Sequence, residues 1–117
     1  MPVDRKTALN ADAVAQPLKP YYSNAVRSEA GPLLWISGQV ALDRDGKLVG
    51  DGDLRAQAEQ VLKNIKAILN DAGADMEDIV KVTVYVTDIR AFNDIADIRE
   101  RYFPKDGPSS VICEVSA

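Results

Sequence analysis

DIVKVTVYVTD, residues 78–88, decides the fold. Val80, Val82, Val84 and Val86 fall on one side of an extended chain, and Lys81, Thr83, Tyr85 and Thr87 on the other. Strict period two over this length is a strand, because successive side chains alternate faces and β-branched residues suit a pleated, half-buried surface. Upstream, Leu54, Ala58, Val61, Leu62, Ile65, Ile68 and Leu69 recur at helical spacing, with Arg55, Glu59, Lys63 and Lys66 on the other side. Asp51 or Asp53 can cap the start of that helix, and Gly73 can close its end. Downstream, Asp88 can cap a second helix in which Phe92, Ile95, Arg99 and Tyr102 share a face. Pro104 bars its continuation past Phe103.

The flanks complete the order. GPSSVICEVSA, residues 107–117, reads as a strand leaving a Gly107-Pro108 turn, with Val111, Cys113 and Val115 on one face and Ile112, Glu114 and Ser116 on the other. Before the first helix, YYSNAVRSEAGPLLWISGQVAL reads as two strands around a turn at Glu29-Ala30-Gly31-Pro32, and Asp45-Gly46 marks a second turn with a short strand after it. Residues 1–19 are mixed and polar and read as an N-terminal arm. The expected unit is therefore an α+β subunit of order β-β-α-β-α-β, occupying 1–117 as one domain. Consecutive strands joined through helices take right-handed crossovers, which places both helices on one face of a mixed sheet. The valine face belongs under them. The face carrying Thr83 and Tyr85 has no cover of its own, so an oligomer with clefts between subunits is expected.

Composition narrows the chemistry. The chain has 117 residues, 46% hydrophobic and 27% charged, and suits one modest core. No apolar run approaches the roughly 20 residues of a membrane span. MPVDRKTALN has no apolar h-region, and one cysteine allows no internal disulfide, which together fit a reducing cytoplasm. The formal charge of −4, with scattered Lys and Arg, lacks the basic footprint of a nucleic-acid binder. There is no histidine. That removes Ser-His and Cys-His nucleophile systems, His-ligated metals and the commonest general base. No glycine-rich phosphate loop is present, and Cys113 alone makes no zinc site.

Four stretches in order, PYYSNAV, WISGQVALDRDGKLV, QAEQVLKNIKAILNDAGADMEDIVKVTVYVTDIRAFNDI and RYFPKDGPSSVICEV, resemble the RidA/YjgF family, the reactive-intermediate deaminases once labelled L-PSP endoribonucleases. The similarity runs from about Pro20 to the end. It implies a chorismate-mutase-like subunit, a homotrimer, and pockets between subunits that hydrolyse imines derived from enamines such as 2-aminoacrylate, without metal or organic cofactor. It implies as substrate-binding residues Tyr22, Ser37, Gly38 with its backbone N–H, Phe92, and the positions of Ala96 and Ser110. Each has a plain structural alternative: Tyr22 packing the strand start, Gly38 as a bulge, Phe92 as core, Ser110 as an ordinary loop serine.

The same resemblance carries three departures from the family pattern. Ser110 stands where the family's deaminases carry an arginine that grips the substrate carboxylate. Ala96 stands where they carry a pocket asparagine. The strand bearing the glutamate thought to position the attacking water is expected beyond Ala117. A serine offers one neutral donor where an arginine offers a charged fork. Weak or absent activity on 2-iminopropionate-type substrates is therefore expected, unless Arg99, seven residues past Phe92 on the same face, supplies a substitute cation. Cys113 is expected to be an inert core thiol and Glu114 a solvated charge. The readings left open are an imine or enamine deaminase, with an imino, enamino or keto acid as ligand, and a non-catalytic metabolite-binding trimer. An endoribonuclease is opposed by the acidic balance and the missing histidine.

Overall fold

A computed structural model of the chain describes residues 6–117. They divide into two compact units: the described residues up to Gly31 together with Glu77–Ala117, and Pro32–Met76.

In the first unit, β1 (Lys6–Leu9) pairs antiparallel with β2 (Ala25–Ser28), Lys6 opposite Ser28 and Leu9 opposite Ala25. The stretch read from the sequence as a mixed, polar N-terminal arm thus contains a strand. β3 (Lys81–Val86) pairs in parallel with β4 (Ser109–Glu114). As the alternation of DIVKVTVYVTD predicts, Val82, Val84 and Val86 turn inward and Lys81, Thr83 and Tyr85 outward. Between these strands lies a 3₁₀ stretch, Ile89–Ile95, which runs into α2 (Ala96–Tyr102). The Asp88 carboxylate accepts from the Arg90 N–H at 3.0 Å, the cap expected there. The second helix is therefore half 3₁₀, a tighter winding common at helix ends. Ile95, Ile98 and Phe103 are buried, with Val86 from the strand. On this valine side lies the unit's core.

The parallel register corrects the reading of the last strand. Val82 sits beside Ser110, Thr83 beside Val111, Val84 beside Ile112 and Tyr85 beside Cys113. Paired residues in register share a face. Ser110 and Ile112 therefore lie on the covered side. Val111 is exposed and Cys113 half-buried on the side of Tyr85, so Cys113 is not the core thiol expected from alternation alone. Glu114 is exposed, as expected, and its Oε1 accepts from the Ile89 N–H at 3.1 Å. The outer face of this strand pair, with Tyr85 67% and Val111 45% exposed, carries apolar side chains in the open.

In the second unit, α1 (Leu54–Asp71) follows the predicted helix closely. Asp53 caps it by accepting from the Ala56 N–H at 3.2 Å. Gly73, at φ 79°, ends it in the left-handed region that a side chain would strain. Asn64 Nδ2 donates to the Leu42 carbonyl at 2.9 Å and Gln57 Nε2 to the Gly50 carbonyl at 2.8 Å, holding the preceding loop to the helix. That loop turns at Asp43–Lys47 and contains a bridge of Leu42 with Leu48. The strand expected over Leu33–Val40 is absent: the stretch forms no ladder, and Leu33, Leu34, Trp35 and Val40 are exposed. Its apolar, strand-prone side chains suit pairing, but among the described residues it joins no sheet. Among the described residues, no helix is long and apolar enough to cross a membrane.

Candidate functional site

Two turns of backbone build the most constrained place in the first unit. Gly107 donates from its N–H to the Pro20 carbonyl at 3.0 Å, and Ser23 donates from its N–H to the Pro108 carbonyl at 3.1 Å. The buried Ser23 hydroxyl closes the staple by donating to the Gly107 carbonyl at 2.5 Å. Gly107 is required by this approach: a Cβ there would sit 2.1 Å from the Tyr21 carbonyl carbon. Pro108 is fully buried. The chain at 20–23 is thereby laid along the entry to β4, and Tyr21 is carried inward to 4% exposure.

Against Tyr21 lies Arg99. Its guanidinium carbon stands 4.3 Å from the centre of the Tyr21 ring, and its Nη2 donates to the Ser110 hydroxyl at 2.9 Å. Arg99 is only 8% exposed. Burial pushes the guanidinium below its ordinary value, while the Tyr21 side chain acts in the opposite sense. Among the described residues no carboxylate is paired with it. A cation removed from water without a counter-charge is costly, and stacking on an aromatic face offsets part of that cost. The helical spacing that put Arg99 on the face of Phe92 thus leads to the position of Ser110, where the resemblance had placed a cation.

The other expected residues are distributed as follows. Phe92, in the 3₁₀ stretch, and Ala96, the first residue of α2, are both half-buried in the same unit as Arg99. Tyr22 is half-buried, and its hydroxyl accepts from the Leu18 N–H at 3.1 Å. It lines an open depression of about 420 Å³ with Pro17, Leu18, Lys19 and Lys105. Ser37 and Gly38 belong to the other unit, on the exposed stretch without a ladder. Gly38 has open space around it and is no strand bulge. Sequence reasoning passed over Tyr21 in favour of its neighbour. The signal was present in the tyrosine pair after Pro20 and in the Gly107-Pro108 turn that the pair embraces.

The described residues thus form an α+β subunit with a parallel strand pair, an open outer sheet face and a buried cation beside a serine at the mouth of a strand. Comparison with known proteins identifies the family. The family described as endoribonuclease L-PSP matches residues 12–117, and the chain belongs to that family. A RutC family protein of Pyrococcus horikoshii is 39% identical over 112 residues, covering 95% of this chain and 86% of the relative. The human 2-iminobutanoate/2-iminopropanoate deaminase is 35% identical over 96 residues, covering 82% and 69%. Among solved structures, the Rid family protein YyfB of Yersinia pestis, described as of unknown function, superposes with a TM-score of 0.90 at 31% identity, covering 97% of this chain and 87% of that one.

Proposed function

We propose that this protein is a cytoplasmic homotrimer that hydrolyses small imines or enamines in a pocket between subunits, with Tyr22, Ser37, Gly38, Phe92, Ala96 and Ser110 among the residues meeting the ligand. The likeness to the human deaminase carries the reading, and the uncovered sheet face with Tyr85 and Val111 supports a partner subunit. In the reaction, water oxygen adds to the imine carbon, the C–N bond breaks, and the water's protons leave with nitrogen as ammonia. The carbon is left as a ketone and nothing is oxidised or reduced. No histidine is needed if the substrate's own nitrogen takes up the protons. The test is ammonia and keto-acid formation from imino acids generated in place by an amino-acid oxidase, alongside sedimentation. Release above the uncatalysed rate by a species of three subunits is expected. A species of one subunit at micromolar concentration, or no release with any imine, overturns the reading; binding without release leaves a metabolite-binding protein.

A further inference from the structure

We propose that Arg99 is the specificity-determining residue of this chain, recognising the carboxylate of a small monoanionic ligand together with the Ser110 hydroxyl. The ligand's identity as an imino or keto acid rests on the imine-hydrolase reading above. The demand for a negative charge does not, because it follows from the cation itself.

A guanidinium has five N–H donors in a planar fork. Here one hydrogen bond goes to Ser110 Oγ, a neutral acceptor that leaves the charge unbalanced. The Tyr21 ring supplies a partial counter-field from one face. The edge of the fork remains, and an edge is the surface on which guanidinium meets a carboxylate bidentately. Access exists. Ser110 is only half-buried, and no side-chain nitrogen or oxygen among the described residues is both fully buried and without a hydrogen-bond partner. The N–H groups of Arg99 that make no hydrogen bond therefore keep some contact with solvent.

The surroundings select the ligand's charge. Arg101, two residues further along the helix, lies 5.7 Å from the centre of the Tyr102 ring. The chain as a whole carries −4. One cation in an acidic protein suits a monocarboxylate better than a phosphate dianion. Delivery from α2, rather than from the strand position at 110, also lets the serine hydroxyl orient the fork. Ser110 and Arg99 thereby divide between them the work of a strand-borne arginine: the serine fixes direction, the helix residue supplies charge.

The experiment measures pyruvate binding to the full chain by titration calorimetry, with pyruvamide as the uncharged isostere and inorganic phosphate as the competing anion. The parent is expected to bind pyruvate, and Arg99→Met to weaken it by about tenfold to a hundredfold, the loss of one charge-assisted contact. The double variant Arg99→Met with Ser110→Arg is expected to recover part of that loss, because the charge returns from the strand. Pyruvamide affinity is expected to be the same in all three. Should Arg99→Met fail to fold, Arg99→Lys keeps the charge without the fork and Ser110→Ala keeps the fork without its guide; each is expected to weaken pyruvate and not pyruvamide. No pyruvate binding by the parent, phosphate binding as tightly as pyruvate, or equal losses for pyruvate and pyruvamide would overturn the assignment. The two readings fail separately. A parent that binds pyruvate through Arg99 but releases no ammonia keeps this inference and loses the hydrolase. One that hydrolyses imines equally well with and without a carboxylate keeps the hydrolase and loses the inference.

Discussion

Two apolar stretches of similar strand propensity meet different fates. Lys81–Val86 lies in a ladder, with its valines turned to a core that holds Ile95, Ile98 and Phe103. Leu33–Val40 has no ladder, and Trp35 is 85% exposed. The difference lies in what surrounds them. β3 has β4 beside it, and β4 is held at its entry by the staple between 20–23 and 107–108. The other stretch has no comparable brace in its unit. Propensity states that a segment fits a pleated surface; a neighbour must supply the surface.

The strongest way to break the comparison is to remove the brace. Gly107→Ala places a methyl 2.1–2.4 Å from the backbone of Tyr21 and Tyr22, atoms that cannot swing aside as a side-chain end would. A cost of more than about 4 kcal/mol, or failure to fold, is expected from such an overlap. Gly38→Ala, where nothing lies within 4 Å, is the matched control and is expected to stay within about 0.5 kcal/mol. Denaturant midpoints measure both. Equal effects would mean that the two regions are equally constrained in solution.

Next comes the core itself. Ile98 is 0% exposed, and Ile98→Ala is expected to cost about 2–5 kcal/mol through lost burial and the cavity left behind. Trp35→Ala is expected to leave the stability of the isolated subunit within about 0.5 kcal/mol and to lower the sedimenting mass if another subunit covers that stretch. A loss for Trp35→Ala as large as for Ile98→Ala, at unchanged mass, would show Trp35 packed inside its own subunit and would erase the contrast.

Local rules were legible wherever one segment suffices to satisfy them. α1, its Asp53 cap, its Gly73 end, the faces of β3 and the Asp88 cap all follow from spacing within a few residues. What escaped was pairwise. The strand at Lys6–Leu9 exists through β2, 16 or more residues away along an irregular chain, and so short a strand has no period of its own to display. The inward face of β4 was misread because Val111 and Cys113 looked like the apolar set, whereas the parallel register with β3 places Ser110 and Ile112 inside. At the site, helical spacing brought Arg99 into consideration, yet its meeting with Ser110 and Tyr21 depends on a staple between segments some 84 residues apart. No one-dimensional pattern announces such a contact.

A smaller effect tests the other unit's clearest local rule. Asp53→Ala removes the acceptor from the Ala56 N–H and is expected to cost about 1 kcal/mol, with Asp53→Asn recovering most of it. Thermal unfolding followed by helix signal at 222 nm, the ordinary far-ultraviolet helix band, checks it. No change for Asp53→Ala would assign the helix start to Asp51, the alternative cap in the sequence, rather than to Asp53.

The smallest expected effect belongs to Lys6, where β1 meets the entry to β3. Its Nζ donates to the Ile79 carbonyl at 2.8 Å. Burial lowers its pKa below the ordinary lysine value of 10.5, against the opposing pull of Asp78, Glu77 and Asp106. The sign then follows. Between the folded value and the ordinary one, the unfolded chain holds a proton that the folded chain has released, so stability rises with pH across that window. A neutral amine still donates to Ile79, and the desolvation of the charge is relieved. Lys6→Met abolishes this gain and the hydrogen bond together. Relative to the parent it should therefore lose ground as pH climbs toward 10.5 and fall behind least at neutral pH. Paired urea midpoints of parent and variant across the alkaline limb measure the difference directly. Parallel curves would show that Lys6 keeps its ordinary proton affinity in the folded chain. A variant that gains on the parent with rising pH would show that the three acids outweigh burial, reversing the assignment for the point where the first strand pair touches the second.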